Sequence, residues 1–169
     1  DLAETLKYDG ARVVAVADPD SKRAVKGKEF IEEYYSSKSG KSGYIEVKVY
    51  EDYRNMLQNP DIDAVIISTP DHWHAQPAIE AALAGKDIYL QKPTSLTIRE
   101  GRLLSDVVRR QKVILQVGTQ QRSMDQFRIA AELVRNGRIG KLETVKIGLP
   151  GDPSGPDAPE MTVPKNLNY

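Results

Sequence analysis

The sequence predicts an α/β protein built on a doubly wound, mainly parallel sheet. Two observations carry that reading. Short β-rich apolar runs recur between segments of roughly ten or more residues with helical spacing, and such spacing implies the crossover connections that parallel strands require. One of the runs, Ala64-Val65-Ile66-Ile67-Ser68, is apolar without alternation, the pattern of a strand covered by helices on both faces.

Each element follows from local chemistry. Asp1 to Tyr8 reads as the end of a helix with Asp9-Gly10 as its exit, so the first strand and its glycine-rich turn are expected upstream of residue 1. Arg12 to Ala17 is a compact β-rich run halted by Asp18-Pro19, because proline fixes φ and lacks a ladder donor. Ser21 to about Ser36 carries Ala24, Val25, Phe30, Ile31 and Tyr34 at mixed helical spacing, and Ser36 to Gly43 is a polar loop. Val47 and Val49 mark a short strand, Glu51 to Gln58 a small helix, and Asn59-Pro60-Asp61 a turn. The alanine-rich stretch Ala75 to Ala84 is a helix closed by Gly85, followed by a strand over Asp87 to Leu90. Thr97 to Arg110 predicts a helix, Val113 to Val117 a strand, Met124 to Asn136 a helix stopped by Gly137, and Leu142 to Leu149 one more strand. Between Pro150 and Pro159 the chain is rich in proline and glycine, and no packed element is expected there. The division that follows is a dinucleotide-binding domain over 1–123, incomplete at its N-terminus, and over 124–169 an interdomain helix with the beginning of a second, α+β substrate domain.

Composition narrows the partners. Twenty-four basic residues balance 24 acidic ones in a chain of 169, so no net field draws it to nucleic acid or to an anionic membrane. A small molecule is the expected partner. No apolar run approaches the roughly 20 residues of a membrane span, and the absence of cysteine excludes disulfides and thiolate chemistry without deciding between periplasm and cytoplasm.

Ligands of open α/β sheets bind beyond the carboxyl ends of the strands. Asp18 closes the strand that would be second in a Rossmann unit, where a carboxylate accepts hydrogen bonds from the adenosine ribose hydroxyls and repels a 2′-phosphate. That favours NAD over NADP. Asp18-Pro19-Asp20 is equally suited to making a turn and capping the next helix, and both readings stand. Gly40-Lys41-Ser42 imitates the tail of a P-loop, but Tyr35 occupies the place of its first glycine.

Four ordered motifs resemble one family: Thr69-Pro70-Asp71-His72-Trp73-His74, then Ala82-Leu83-Ala84-Gly85-Lys86, then Tyr89-Leu90-Gln91-Lys92-Pro93, then Gly118-Thr119-Gln120-Gln121-Arg122. Together they are similar to the glucose–fructose oxidoreductase, inositol dehydrogenase and rhizopine catabolism (Gfo/Idh/MocA) group, and Glu132 to Leu142 resembles that group's interdomain helix. The resemblance implies an NAD(P)-dependent oxidoreductase acting on a secondary alcohol of a sugar, sugar derivative or cyclitol. Lys92 matches the lysine of the family's Glu-Lys-Pro motif, placed beside the nicotinamide and the reacting carbon, with Pro93 shaping the turn. A lysine there can hydrogen-bond the substrate hydroxyl and stabilise alkoxide character; the alternative is an exposed surface lysine. Gln91 departs from the motif by putting an amide where the family has a carboxylate. Thr69 and Pro70 match the loop beneath the cofactor, and His74 matches a histidine that contacts the cofactor or starts the next helix. Trp73 is a packing surface or a sugar-stacking one. Gln121 and Arg122 stand where the family presents polar groups to the nicotinamide or substrate, with a structural ion pair as the alternative for Arg122.

The resemblance also implies a catalytic base, a histidine near an aspartate in the second domain, expected beyond residue 169, and homo-oligomers formed through that domain. The chain's only histidines are His72 and His74. With Asp71 they suggest zinc ligation, but neighbouring residues at a strand end need not converge and hydride transfer to NAD requires no metal, so no metal is expected. Two further readings stay open. Some relatives resembling this subgroup, with its Asp-His-Trp-His loop, use bound NAD transiently to cleave glycosidic bonds by oxidation, elimination, addition and reduction, and Gln91 admits a non-catalytic ligand-binding relative.

Overall fold

The computed structural model describes residues 1–39, 46–149, 151, 155 and 159–168. The P-loop-like Gly40-Lys41-Ser42 lies outside the described residues, as does most of the polar loop around it. The chain divides into two compact units, Asp1–Gly118 with Val163–Tyr169, and Thr119–Thr162. The segment Val163–Tyr169, expected with a second domain, thus groups with the first unit.

In the first unit the order is α1 (Leu2–Leu6), β1 (Ala15–Ala17), α2 (Ser21–Ser39), β2 (Lys48–Tyr50), α3 (Tyr53–Leu57), β3 (Ala64–Ile67), α4 (Ala75–Leu83), β4 (Asp87–Leu90), α5 (Ile98–Gln111) and β5 (Leu115–Val117). β1 pairs parallel with β2, from Ala15 opposite Lys48 to Ala17 opposite Tyr50. β3, β4 and β5 form a second parallel sheet in that order, with Ala64 opposite Asp87 and Ile88 opposite Leu115. Every ladder is parallel and every connection passes through a helix, so the α/β class holds. Among the described residues no ladder joins β1 to β3.

The main core lies between β3–β5 and the helices α4 and α5, where Val65, Ile67, Ile88, Leu90, Leu104 and Val107 meet Ala78, Ala81 and Ala82. These alanines are fully buried; side chains that small let α4 lie close to the sheet and to α5. A smaller cluster, Leu6, Ile31 and Val47, joins α1, α2 and the approach to β2. α5 begins with a capping box, Thr97 Oγ1 accepting from Glu100 N at 3.2 Å while the Glu100 carboxylate accepts from Thr97 N at 2.9 Å, which satisfies donors that helix geometry leaves orphaned. Gly85 ends the α4 region with φ +72°, the left-handed conformation that glycine adopts without a Cβ penalty. Lys86 is buried but satisfied, its Nζ donating to Ile62 O at 2.7 Å and Asn59 O at 2.9 Å.

Three expectations are corrected. β3 is covered on one face only: Val65 and Ile67 are buried, whereas Ala64 is exposed and Ile66 is 41% exposed, because α4 and α5 pack on a single side of it. α2 continues to Ser39, absorbing the first residues of the expected polar loop. Leu142 to Leu149 has the alternation of a strand but is not one; it has no pairing partner among the described residues, and Ile147 and Leu149 stand more than four-fifths exposed at 83% and 86%. A β-pattern becomes a strand only when a neighbouring backbone takes its hydrogen bonds. In the second unit, α6 (Asp125–Arg135) is the principal element, stopped by Gly137 at φ +67° as expected.

Candidate functional site

The tip of β4 organises the candidate site. Gln91 N extends the β3 ladder by donating to Ile67 O at 3.0 Å, and Gly118 N donates to Leu90 O at 2.8 Å, so Gln91 leaves the sheet between the ends of two flanking strands. Its amide is used at both ends: Oε1 accepts from Lys92 N at 3.0 Å, and Nε2 donates to Asp1 Oδ2 at 2.7 Å. Ser68, at the end of β3, donates from Oγ to the same carboxylate oxygen at 2.8 Å. A glutamate at 91 could not make that donation, so the departure from the family motif has a local counterpart in the donor it supplies. Gly118 completes the floor: a Cβ there would stand 3.0 Å from Tyr89 Oη and 3.3 Å from Gln91 Oε1.

Lys92 follows, exposed, with a cis peptide bond to Pro93. Among the described residues nothing bonds its Nζ, while its backbone is held from both sides, by Gln91 Oε1 at its own N–H and through Pro93 by His74. The His74 imidazole is 1% exposed, and its Nδ1 hydrogen-bonds Pro93 O. A carbonyl only accepts, so Nδ1 carries the proton of that bond. Nε2 is buried with no hydrogen-bond partner among the described residues. His74 immediately precedes α4, buried beneath the loop that carries Lys92.

The loop after β3 forms a short 3₁₀ turn over Asp71–Trp73. Thr69 Oγ1 donates to Trp73 O at 2.9 Å and Trp73 N donates to Pro70 O at 2.7 Å, so Thr69 and Pro70 are tied into the turn they begin. Trp73 is 42% exposed, with its ring centroid 6.5 Å from that of His72; it is not a core residue. Among the described residues no group of three or more His, Cys, Asp or Glu side chains is placed to hold a metal.

At the end of β1, Asp18 N donates to Tyr50 O at 3.2 Å and Asp18 Oδ1 accepts from Asp20 N at 2.8 Å. The turn-forming reading of Asp18 is therefore realised, but the helix cap is Asp20, whose Oδ1 accepts from Lys22 N at 2.9 Å. Asp18 is half-buried, and its second carboxylate oxygen accepts no bond from the described residues. Its turn-forming role leaves it able to accept from a ligand hydroxyl.

Gln121 and Arg122 belong to the second unit, on an exposed 3₁₀ turn over Gln120–Ser123 in which Arg122 N donates to Thr119 O at 3.0 Å. Arg122 makes no ion pair with a described residue. Sequence reasoning passed over Ser68, Tyr89 and Asp1. Ser68 was findable as a polar residue at a strand end, whereas Asp1 and Tyr89 act through contacts that no local pattern announces.

Residues 3–119 match the model of the Gfo/Idh/MocA oxidoreductase family, described as having an NAD-binding Rossmann fold. The chain belongs to that family. It is 37% identical over 132 residues to the scyllo-inositol 2-dehydrogenase (NAD(+)) of Bacillus subtilis (strain 168), covering 78% of this chain and 35% of that protein. It is 28% identical over 143 residues to the 2,7-anhydro-N-acetylneuraminate hydratase of Mediterraneibacter gnavus, covering 84% of this chain and 34% of that one. Among solved structures it resembles the scyllo-inositol dehydrogenase of Lactobacillus casei with bound NAD(H) and scyllo-inositol, with a TM-score of 0.68, 27% identity, and coverage of 82% of this chain and 38% of that one. The chain thus spans 35%, 34% and 38% of the length of these three relatives.

The family is described as NAD-binding, and the residues present are compatible with a nucleotide: Ser68 Oγ and Gln91 Nε2 both donate to one carboxylate oxygen of Asp1 at the strand tips, and Asp18 keeps a carboxylate oxygen free of described partners at the end of β1.

Proposed function

We propose that this chain carries the NAD-binding portion and the substrate-activating lysine of a dehydrogenase that oxidises a secondary alcohol of a cyclitol or sugar. The observation that carries the proposal is the mounting of Lys92: its backbone is pinned by Gln91 and, through Pro93, by His74, while its Nζ is left without a partner among the described residues. A flexible side chain on a fixed root can meet a hydroxyl at a reproducible place. Bound NAD supplies the hydride acceptor. Lys92 Nζ donates a hydrogen bond to the substrate oxygen and stabilises the negative charge that develops there as the proton leaves. Asp18 accepts from the ribose hydroxyls and disfavours a 2′-phosphate, Thr69, Pro70 and Gln91 line the cofactor side, and Trp73 stands toward the substrate. His74, buried and already bonded, positions the Lys92-Pro93 turn rather than moving the substrate's proton. The inositol dehydrogenases among the relatives support the cyclitol class.

A second reading has one specific support, the resemblance to a hydratase, whose name denotes no net redox change. The same lysine and cofactor would then serve a transient oxidation followed by re-reduction. Titration of the full-length protein with NAD and NADP, followed by assay with inositols, other sugars and glycosides, tests both. NAD-selective binding with accumulating NADH supports the dehydrogenase. Retained NAD with turnover and no NADH supports the second reading, and binding of neither nucleotide overturns both. Replacing Asp18 with alanine is expected to weaken NAD at least tenfold and to narrow its advantage over NADP, at about 1.4 kcal/mol per factor of ten.

A further inference from the structure

A second segment reaches the turn that carries Asp18. Leu167 forms an antiparallel bridge with Asp20, and Asn168 N donates to Pro19 O at 2.9 Å. Ser21 donates to Asn166 O twice, from its backbone N at 2.9 Å and from Oγ at 3.2 Å. Asn166 also uses its side chain, Nδ2 donating to Asp20 Oδ1 at 2.8 Å. The segment is itself shaped for this contact, because Leu167 N donates to Pro164 O at 3.0 Å and turns the chain. Asn166 and Leu167 are half-buried there, unlike the exposed residues before them.

These bonds converge on the residues that set Asp18. Asp18 Oδ1 is oriented by Asp20 N. Asp20 is in turn fixed by its carboxylate, which receives Lys22 N, Arg23 N and Asn166 Nδ2 together. The Asn166 amide is the largest cause holding the Asp20 carboxyl below its ordinary pKa. Two of the three donors to Asp20 come from the helix it caps. The third comes from a residue 146 positions away, and helix capping alone does not call for it.

We infer that Asn166 is a positioning residue for the cofactor's adenosine ribose, acting through Asp20 to fix the Asp18 carboxylate and so to set the preference for NAD over NADP. The inference rests on the reading of Asp18 as the ribose ligand. Asn166 itself touches no reacting atom, and its effect belongs to cofactor affinity and discrimination rather than to turnover.

The test is NAD and NADP binding by calorimetry to the full-length protein and to its Asn166→Ala and Asp18→Ala variants, with thermal unfolding and kcat at saturating NAD measured beside it. Losing a charge-assisted bond that acts on the site through one intermediary is expected to weaken NAD about five- to tenfold, to leave NADP nearly unchanged and to leave kcat unchanged. A merely structural role would lower the unfolding temperature without moving the NAD to NADP ratio, and that result overturns the inference. Weakened NAD in Asp18→Ala with wild-type binding in Asn166→Ala overturns it too, leaving the ribose reading intact. Unaltered NAD binding in Asp18→Ala overturns the ribose reading itself. Should Asn166→Ala fail to fold, Asn166→Leu, which keeps the approximate size and removes the donor without adding charge, carries the same measurement.

Discussion

His74 Nδ1 hydrogen-bonds the carbonyl oxygen of Pro93, linking the root of α4 to the residue that follows Lys92. The ring fills a buried site and also holds a loop, and two variants separate those roles. His74→Ala removes both and is expected to cost about 2–3 kcal/mol of stability. His74→Phe retains the packing and removes an unsatisfied buried nitrogen, so its stability is expected to lie closer to wild type in urea denaturation. Both are expected to lower kcat, because both release Pro93. Normal turnover in His74→Phe would show that the bond does not position Lys92.

Lys92→Ala is expected to reduce turnover at least a hundredfold if the ammonium acts on the substrate oxygen in the transition state, with NAD affinity nearly unchanged because the backbone bond from Lys92 N to Gln91 Oε1 that shapes the turn is kept. Steady-state kinetics beside calorimetry check this. Turnover within a few-fold of wild type would remove Lys92 from the chemistry.

Strand ends were legible in the sequence, whereas the choice of residues there was not a matter of topology. Once Ala64–Ile67 and Asp87–Leu90 read as strands, Thr69, Pro70, Gln91 and Lys92 fell near their carboxyl ends, but it was the motifs resembling the family that singled them out. The state of His74 was not legible, since two histidines separated by one residue look alike in sequence, and only packing makes one buried and leaves the other exposed. Asn166 lay further out of reach. Its partner is 146 residues away, and a side-chain amide meeting a helix-capping carboxylate has no periodicity to betray it. Leu142 to Leu149 shows the converse case, a clear strand pattern without a described neighbour to complete it.

Gly118 sits where β5 ends, against Tyr89 and Gln91. A methyl group there would lie 3.0 Å from Tyr89 Oη, 3.2 Å from its Cε1 and 3.3 Å from Gln91 Oε1, closer than a well-packed Cβ stands. Gly118→Ala is therefore expected to destabilise the protein by about 1–2 kcal/mol and to disturb the bond from Lys92 N to Gln91. The observable is a lower urea midpoint together with reduced kcat. Tyr89→Phe in the same background removes the nearest obstructing atom and is expected to restore part of the stability. No restoration would place the strain on the Gln91 side.

The last prediction concerns pH and lies away from the nucleotide. Tyr53 Oη donates to Glu80 Oε2 at 2.7 Å, joining α3 to α4, with the Arg54 guanidinium 5.3 Å from the Tyr53 ring centroid and 3.4 Å from the Glu80 carboxylate. Burial, and then the hydrogen bond to Glu80, raise the Tyr53 phenol from 10.0 to about 12. Because the folded value lies above the unfolded one, the stability contributed by the protonated phenol is complete below about pH 10 and is lost as pH rises through about 12. Tyr53→Phe cannot make the bond at any pH, so it is expected to be less stable than wild type by about 1 kcal/mol at neutral pH, with the gap closing across that alkaline window. Titrations elsewhere act on both proteins alike and cancel in the difference, and Arg54, whose guanidinium the Tyr53 charge holds above its ordinary pKa, stays charged through the window. Denaturant unfolding of the pair from neutral to alkaline pH measures it, and a gap that stays constant through the window would mean that the Tyr53 proton is not what joins α3 to α4.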